Sequence, residues 1–167
     1  VEAYFIEDVV EWKEKYEQAK ADKKKARQLD DSKSGINIES AGESKSAGRS
    51  EINRSRHIVL VAMNQTGLNN IFKMVTESHK GDYFYRKPRI DFGLLEKYGE
   101  GVIASSACLG GIYAGAYWSK LEEGEEAIQN EMRRLTKRFQ DILGDRWYGE
   151  LQWNRVPQQH ALNKYVI

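Results

Sequence analysis

The chain has 167 residues, of which 40% are hydrophobic and 31% are charged, as is typical of one globular domain. A formal net charge of only +1 excludes a general electrostatic attraction to nucleic acids or membranes, so such binding would need a local patch. The single cysteine excludes an internal disulfide and fits a reducing, cytoplasmic compartment, and no apolar run approaches the about 18 residues of a membrane span.

The first third of the chain predicts a strand, a helix and a polar insertion. Val1 to Ile6 is a short apolar strand, and Glu7 to about Arg27 carries the periodicity of an amphipathic helix. Gln28 to Ser55 is polar and charged with isolated apolar residues, which predicts a flexible insertion. Because the chain opens on Val1 within a predicted strand, we expect it to be an internal piece of a longer protein.

The rest of the chain alternates between strands and helices, which predicts one α/β domain with a mainly parallel sheet. The predicted strands, the first of them covered on both faces, are His57 to Met63, Gly101 to Ala107 and Trp147 to Trp153. The predicted helices run from a cap at Thr66 to Ser78, from a cap at Asp91 to Tyr98, from a capping box of Ser119 and Glu122 to Leu143, and onward from Pro157. In the first of these helices, Leu68, Ile71, Phe72 and Val75 are the residues predicted to be buried.

Three residues lie at predicted strand ends and have side chains that bind metal ions. Cys108 closes an apolar strand before two glycines, His57 opens another strand, and Glu2 lies in the first. Taken singly, each has a simpler interpretation: a buried inert thiol, a surface histidine and a solvent-facing acid. Glu2 and His57 can meet only if their strands run antiparallel.

Two further groups of polar residues have open interpretations. Arg86, Lys87 and Arg89 lie among aromatic residues and could clamp phosphates of a nucleic acid, or could stay in water while the aromatic residues pack on the core. Glu150 lies on the third predicted strand and could orient a metal ligand or simply face solvent. We assign no catalytic residue.

The ordered motifs resemble the polymerase and histidinol phosphatase (PHP) domain of bacterial and phage DNA polymerase III alpha subunits. The resemblance is carried by Val1-Glu2-Ala3-Tyr4, by the strand opened by His57, by Lys87-Pro88-Arg89-Ile90-Asp91 and by Ser106-Ala107-Cys108-Leu109-Gly110. It implies that residues 1–167 are one partial PHP domain, part of a distorted seven-stranded TIM-like β/α barrel. Missing strands would leave open sheet edges, so we expect marginal stability or aggregation.

The resemblance also implies a metal site and a function. Glu2, His57 and Cys108 would be ligands of a multinuclear Zn²⁺, Mn²⁺ or Mg²⁺ site, completed by His-x-His, Asp-His and Asp-x-His residues that this sequence does not contain. The implied activity is metal-dependent phosphoester hydrolysis, of a 3′–5′ exonuclease type, within a replicative polymerase that binds DNA and replisome or proofreading subunits. The alternatives are a non-catalytic structural or partner-binding module and a free-standing phosphatase of the same superfamily.

Overall fold

The computed structural model describes residues 1–31 and 55–167, with side chains described from residues 1–25 and 55–167. The predicted insertion from Gln28 to Ser55 lies almost entirely outside the described residues. Over the described residues the strands are β1 (Glu2–Phe5), β2 (Arg56–Ala62), β3 (Phe84–Tyr85), β4 (Lys87–Pro88), β5 (Val102–Ser105) and β6 (Trp147–Tyr148). The α-helices are α1 (Val9–Asp31), α2 (Gln65–Ser78), α3 (Phe92–Tyr98), α4 (Ile112–Lys120), α5 (Glu125–Leu143) and α6 (Pro157–Val166).

The main sheet has the strand order β1-β2-β5-β6, and β3 and β4 form a separate hairpin. β1 pairs with β2 and β2 with β5 in antiparallel fashion, and the pairing of β5 with β6 is parallel. The prediction that the sheet is mainly parallel is therefore wrong. Alternation of strands and helices does not fix strand direction here, because the connections before β2 and before β5 are long enough to return to either end of the sheet. This four-stranded sheet forms no seven-stranded barrel in the described parts of the chain.

The two faces of the main sheet differ in burial. Helices α2, α4 and α5 pack on the first face, which carries the buried residues Phe5, Ile58, Leu60, Val102, Ala104 and Trp147. The opposite face, here called the outer face, carries Glu2, Tyr4, His57, Val59, Val61, Ile103, Ser105 and Tyr148. The prediction that β2 is covered on both faces is wrong, because Val61 on the outer face is 50% exposed.

An aromatic cluster forms the centre of the core between the sheet and the helices. Phe139 of α5 is fully buried and stacks on Trp147 of β6, with ring centroids 3.9 Å apart. Phe5 and Phe92 pack on this pair, with the Phe5 centroid 5.2 Å from that of Phe139. These four rings join the first strand, α3, α5 and the last strand into one core.

The helix predictions are partly confirmed. Asp91 caps α3, which ends at Gly99 as predicted, and Pro157 begins α6. α2 is capped by Asn64 instead of Thr66; its buried side carries Ile71 and Met74, and Phe72 is exposed. Leu68 is exposed as well.

The other predictions that differ from the structure concern the boundaries of elements in the C-terminal half of the chain. The predicted capping box is wrong: Ser119 lies inside α4, where its hydroxyl donates to the Ala116 carbonyl, because the apolar run from Ile112 packs as a helix of its own. α5 starts only after Gly124 and ends before Gly144, as predicted for its end. The third strand stops at Tyr148 because its partner β5 ends at Ser105.

Candidate metal site

The antiparallel pairing of β1 with β2 brings Glu2 and His57 together. Glu2 lies opposite Val59, and His57 lies opposite Tyr4, so Glu2 and His57 are diagonal neighbours on the outer face. The Glu2 carboxylate oxygen Oε1 lies 2.5 Å from Nδ1 of His57. The geometric requirement stated from the sequence, that these strands run antiparallel, is confirmed.

Cys108 lies on the turn that follows β5, and main-chain hydrogen bonds fix this turn. The Gly111 amide donates to the Cys108 carbonyl over 2.7 Å, and the Ile112 amide donates to the Ser106 carbonyl over 3.0 Å. The His57 amide donates to the Gly110 carbonyl over 2.9 Å, which joins the turn to the start of β2. As a result, Sγ of Cys108 lies 3.7 Å from Nδ1 of His57.

Two backbone positions in the same turn are sterically restricted. Ala107 has a φ of 56°, a left-handed conformation that costs a residue with a Cβ about 1–2 kcal/mol. At Gly111 a Cβ would lie 2.0 Å from the Ser106 carbonyl oxygen, so no larger residue fits without movement of the backbone. At Gly110, by contrast, a Cβ would meet the His57 ring and Cys108 Sγ only at ordinary contact distances of 3.5 Å and more. The turn that presents Cys108 is therefore built around Gly111.

The three side chains form a set of donor atoms that fits a divalent metal ion. One donor atom each of Glu2, His57 and Cys108 lies within 4.8 Å of the others. In a tetrahedral zinc site, an imidazole nitrogen and a thiolate sulfur are separated by about 3.6 Å, close to the observed 3.7 Å. The distance from Glu2 to His57 is a hydrogen-bond distance, so the carboxylate would move out by somewhat less than 1 Å to share an ion with the imidazole.

Tyr4 is a residue of this site that the sequence analysis missed. Its ring packs edge-on against the His57 ring, with centroids 5.3 Å apart and planes at 73°. The Nζ atom of Lys87 lies 3.8 Å above the centroid of the same ring. The signal was present in the sequence, because residues two apart on a strand share a face, so a site that includes Glu2 also includes Tyr4.

Glu150 lies after β6 and is not among the three converging side chains. Its carboxylate accepts hydrogen bonds from Oγ of Ser105 over 2.8 Å and from Nε2 of Gln152 over 2.7 Å. Its amide donates to Oγ of Ser106 over 2.9 Å. These bonds hold the chain after β6 against Ser105 and Ser106, at the end of β5 and the start of the turn that carries Cys108.

The three basic residues of the hairpin region each lie against an aromatic ring. Arg89 is 97% buried, its guanidinium lies 4.3 Å from the Trp12 ring centroid, and burial lowers its pKa from the ordinary value. Arg89 donates to the carbonyls of Tyr85 and Lys87 and so braces the hairpin from inside. Arg86 lies over the Tyr85 ring with a left-handed φ of 61°.

Asp91 ends the same segment as a shared cap for two helices. Oδ1 accepts from the Leu94 amide over 2.9 Å at the start of α3, and Oδ2 accepts from the Val9 amide over 3.2 Å at the start of α1. Burial raises the pKa of the Asp91 carboxyl despite these hydrogen bonds. Burial, and then the nearby Asp91, raises the pKa of Tyr83 to about 12.

Comparisons with known proteins identify the family of this chain. A family model described as "PHP domain" matches residues 6–154. The DNA polymerase III subunit alpha of Aquifex aeolicus is 42% identical over 113 residues, which are 68% of this chain and 9% of that protein. The PolC-type DNA polymerase III of Bacillus subtilis is 45% identical over 89 residues, or 53% of this chain and 6% of that protein. The Thermus aquaticus DNA polymerase III subunit alpha is 30% identical over 111 residues, or 66% and 8%.

The chain thus spans less than a tenth of the length of these relatives. His57 and Cys108 lie within the residues matched by the family model, and Glu2 lies just before them. No helix in residues 1–31 or 55–167 combines the length and the apolar character needed to cross a bilayer. The family match covers most of the sequence and the relatives agree with it, so this chain belongs to the PHP domain family.

Proposed function

We propose that this chain is the PHP part of a cytoplasmic, DNA polymerase III alpha-like replicative polymerase, and that it contributes a divalent-metal site for phosphoester hydrolysis. The observation that carries the proposal is the convergence of Glu2, His57 and Cys108, which lie on three segments far apart in sequence. The relatives named above support the polymerase context. Nucleotidyl transfer would belong to other regions of such a polymerase, and no residue of this chain is assigned to it.

The donor set favours Zn²⁺ at the position shared by His57 and Cys108. Imidazole and thiolate are ligands that suit zinc, whereas a carboxylate such as Glu2 also suits Mn²⁺ or Mg²⁺ and can bridge two ions. Three protein ligands leave coordination positions for residues outside this set, as in a multinuclear site. When bound, such ions would activate water and stabilise the leaving oxygen of a phosphoester.

The residues of the chain itself orient these donors. The His57 main chain is tied to Gly110, and the Gly110 amide donates to Cys108 Sγ over 3.3 Å, which holds the sulfur in the turn beside His57. The hydrogen bond between Glu2 and Nδ1 of His57 holds a proton at that nitrogen. A metal ion at Nδ1 would displace this proton, so metal binding would release protons.

A structural or partner-binding role is the second candidate. An ion held by Glu2, His57 and Cys108 would crosslink β1, β2 and the turn after β5, which would stabilise the domain with no reaction at all. Such a module would present its surface to a replisome or proofreading subunit. A free-standing phosphatase is disfavoured, because the relatives named above are DNA polymerases.

Metal analysis of the purified chain tests the site. We expect wild-type protein dialysed against Zn²⁺ to retain the ion. His57→Ala and Cys108→Ser should weaken zinc binding by at least about 100-fold, since each removes a direct ligand and even loss of an outer partner costs about 10- to 100-fold. The matched control is His79→Ala, because His79 bonds to the Val75 carbonyl at the end of α2. Equal zinc content in all four proteins would contradict the proposed site.

A hydrolysis assay then separates the two candidate roles. The probes are an end-labelled single-stranded oligonucleotide and bis-p-nitrophenyl phosphate, each with zinc- or manganese-loaded protein. Turnover that is lost in His57→Ala supports an enzyme. A zinc-dependent rise in melting temperature with no turnover of either probe favours the structural module.

A further inference from the structure

Lys87 is the basic residue of the hairpin region that lies beside the candidate metal site. Its Nζ atom lies 3.8 Å above the Tyr4 ring centroid, and that ring lies edge-on to His57 with centroids 5.3 Å apart. The ammonium group is therefore no more than about 9 Å from the centre of the His57 ring. A metal-bound phosphate that makes a coordination contact at one end and a hydrogen bond at the other, each about 2–3 Å long, extends over a distance within this upper bound.

The two neighbouring cations point elsewhere. Arg89 is buried under Trp12, where its donors serve the carbonyls of the hairpin. Arg86 lies over Tyr85, whose hydroxyl bonds to Tyr16 of α1. The three basic residues therefore differ in their surroundings. Lys87 contacts Tyr4 on the outer face, and Tyr4 packs against His57.

The backbone around Lys87 holds the side chain in this position. Lys87 pairs with Tyr85 in a hairpin whose turn consists of Arg86, and the left-handed φ of Arg86 makes the turn tight. β4 packs beside β1, where the Ile90 amide donates to the Tyr4 carbonyl over 2.8 Å. The backbone of Lys87 beside β1 therefore needs little rearrangement when an anion binds.

The negative charge of the metal ligands explains how the Lys87 ammonium could assist binding of an anion. Glu2 contributes a carboxylate and Cys108 a thiol, and both become negative ligands when a metal ion is bound. A phosphate approaching the ion would then also face these negative groups, so a fixed cation nearby is needed to hold it. An ammonium group recognises phosphate as a point charge with three donors.

We propose that Lys87 anchors the phosphate group of a nucleotide bound at this metal site. The inference rests on the proposed metal function and narrows its substrate to nucleotide phosphates. Tyr4 serves as the platform that positions the lysine stem between the hairpin and His57. Packing alone is the competing role, since a lysine stem on an aromatic ring also stabilises a fold.

The test is binding of thymidine 5′-monophosphate to the full 167-residue chain loaded with Zn²⁺, measured by isothermal titration calorimetry. Lys87→Met keeps the aliphatic stem over Tyr4 and removes the charge, and Lys87→Arg restores the charge. The matched control is Lys97→Met, because Lys97 also lies over a tyrosine, 5.0 Å from the Tyr98 ring centroid, but on the helix layer. Zinc content and melting temperature are measured for every variant.

We expect Lys87→Met to bind the nucleotide about 10-fold or more weakly, as for loss of a charge-assisted hydrogen bond. We expect Lys87→Arg to recover most of the affinity, and Lys97→Met to match the wild type. Wild-type affinity in Lys87→Met with full zinc content would overturn this inference and leave the metal site standing. A parallel fall in melting temperature and zinc content would assign Lys87 to packing, and a wild-type chain without zinc would overturn both proposals.

Discussion

Replacement of Asp91 by alanine tests whether the Lys87-Pro88-Arg89-Ile90-Asp91 segment is a structural element of the fold. The two carboxylate oxygens of Asp91 accept from the amides of Leu94 and Val9, which start α3 and α1. Both amides belong to residues that are only 4% exposed. Alanine would leave both amides without this acceptor in a place that water reaches poorly.

The expected loss follows from these two hydrogen bonds. Removing a helix N-cap costs about 1 kcal/mol, which applies to Leu94. A buried donor left without a partner costs about 1–3 kcal/mol, which applies to Val9. In the wild type, the cost of burying the Asp91 carboxylate, which raises its pKa, offsets part of the stability that these two hydrogen bonds contribute. We therefore expect Asp91→Ala to lower the free energy of unfolding by about 2–3 kcal/mol.

Two matched variants separate the contributions in urea unfolding experiments. Asp91→Asn keeps one acceptor oxygen for Leu94 and loses the other, so it should cost about 1–2 kcal/mol. Asp8→Ala removes an exposed cap of α1, which accepts from the amides of Val10 and Glu11, and should cost about 0.5–1 kcal/mol. A loss below about 0.5 kcal/mol for Asp91→Ala would refute the shared-cap argument.

The pH dependence provides an independent check of the same residue. Because burial raises the pKa of Asp91 in the folded state, the folded protein binds this proton more tightly than the unfolded chain. Stability relative to Asp91→Asn should therefore rise as the pH falls from above the raised pKa to the ordinary value for aspartate. A wild type that loses stability relative to Asp91→Asn on acidification would contradict this sign.

Three further predictions concern the turn and the hairpin. Gly111→Ala should lower the free energy of unfolding by about 1–3 kcal/mol and weaken zinc binding, because its Cβ would overlap the Ser106 carbonyl, whereas Gly110→Ala should do neither. Ala107→Gly should change stability by less than about 0.5 kcal/mol in urea unfolding, since relief of the left-handed conformation offsets the added chain entropy; a loss above 1 kcal/mol would contradict this. Because the pKa of Tyr83 is raised to about 12 in the fold, stability should fall as the pH rises from about 10 to 12, and Tyr83→Phe should show a smaller fall in the same titration.

Helix ends were predicted correctly where a few neighbouring residues determine them. Asp91 and Gly99 bound α3, and Gly144 and Pro157 mark the end of α5 and the start of α6, because caps and turns depend on a few neighbouring residues. Errors arose where packing decides. Asn64 and Thr66 are both competent caps, and the packing of α2 on the sheet determines that Met74 is buried and Phe72 is exposed.

Strand direction and face could not be predicted from pattern alone. β2 is a continuous apolar run, yet only Ile58 and Leu60 among its residues are buried, because helices cover one face of the sheet in the described part of the chain. Whether β2 runs parallel or antiparallel to its neighbours depends on long connections whose course leaves no local signal. The resemblance supplied what the pattern could not, namely the expectation that Glu2 and His57 lie close together.

The site and the motif segments are linked through the main chain. His57 is tied to the turn of Cys108 by the Gly110 carbonyl, and β1 is tied to the hairpin region by hydrogen bonds between its backbone and that of Ile90. Donor atoms on three distant segments therefore converge because strand pairing and one glycine turn place them, and few side-chain contacts are needed. It follows that changes that displace the backbone of the turn or of β1, such as Gly111→Ala, should weaken metal binding, whereas changes in the solvated surface of α5 should not.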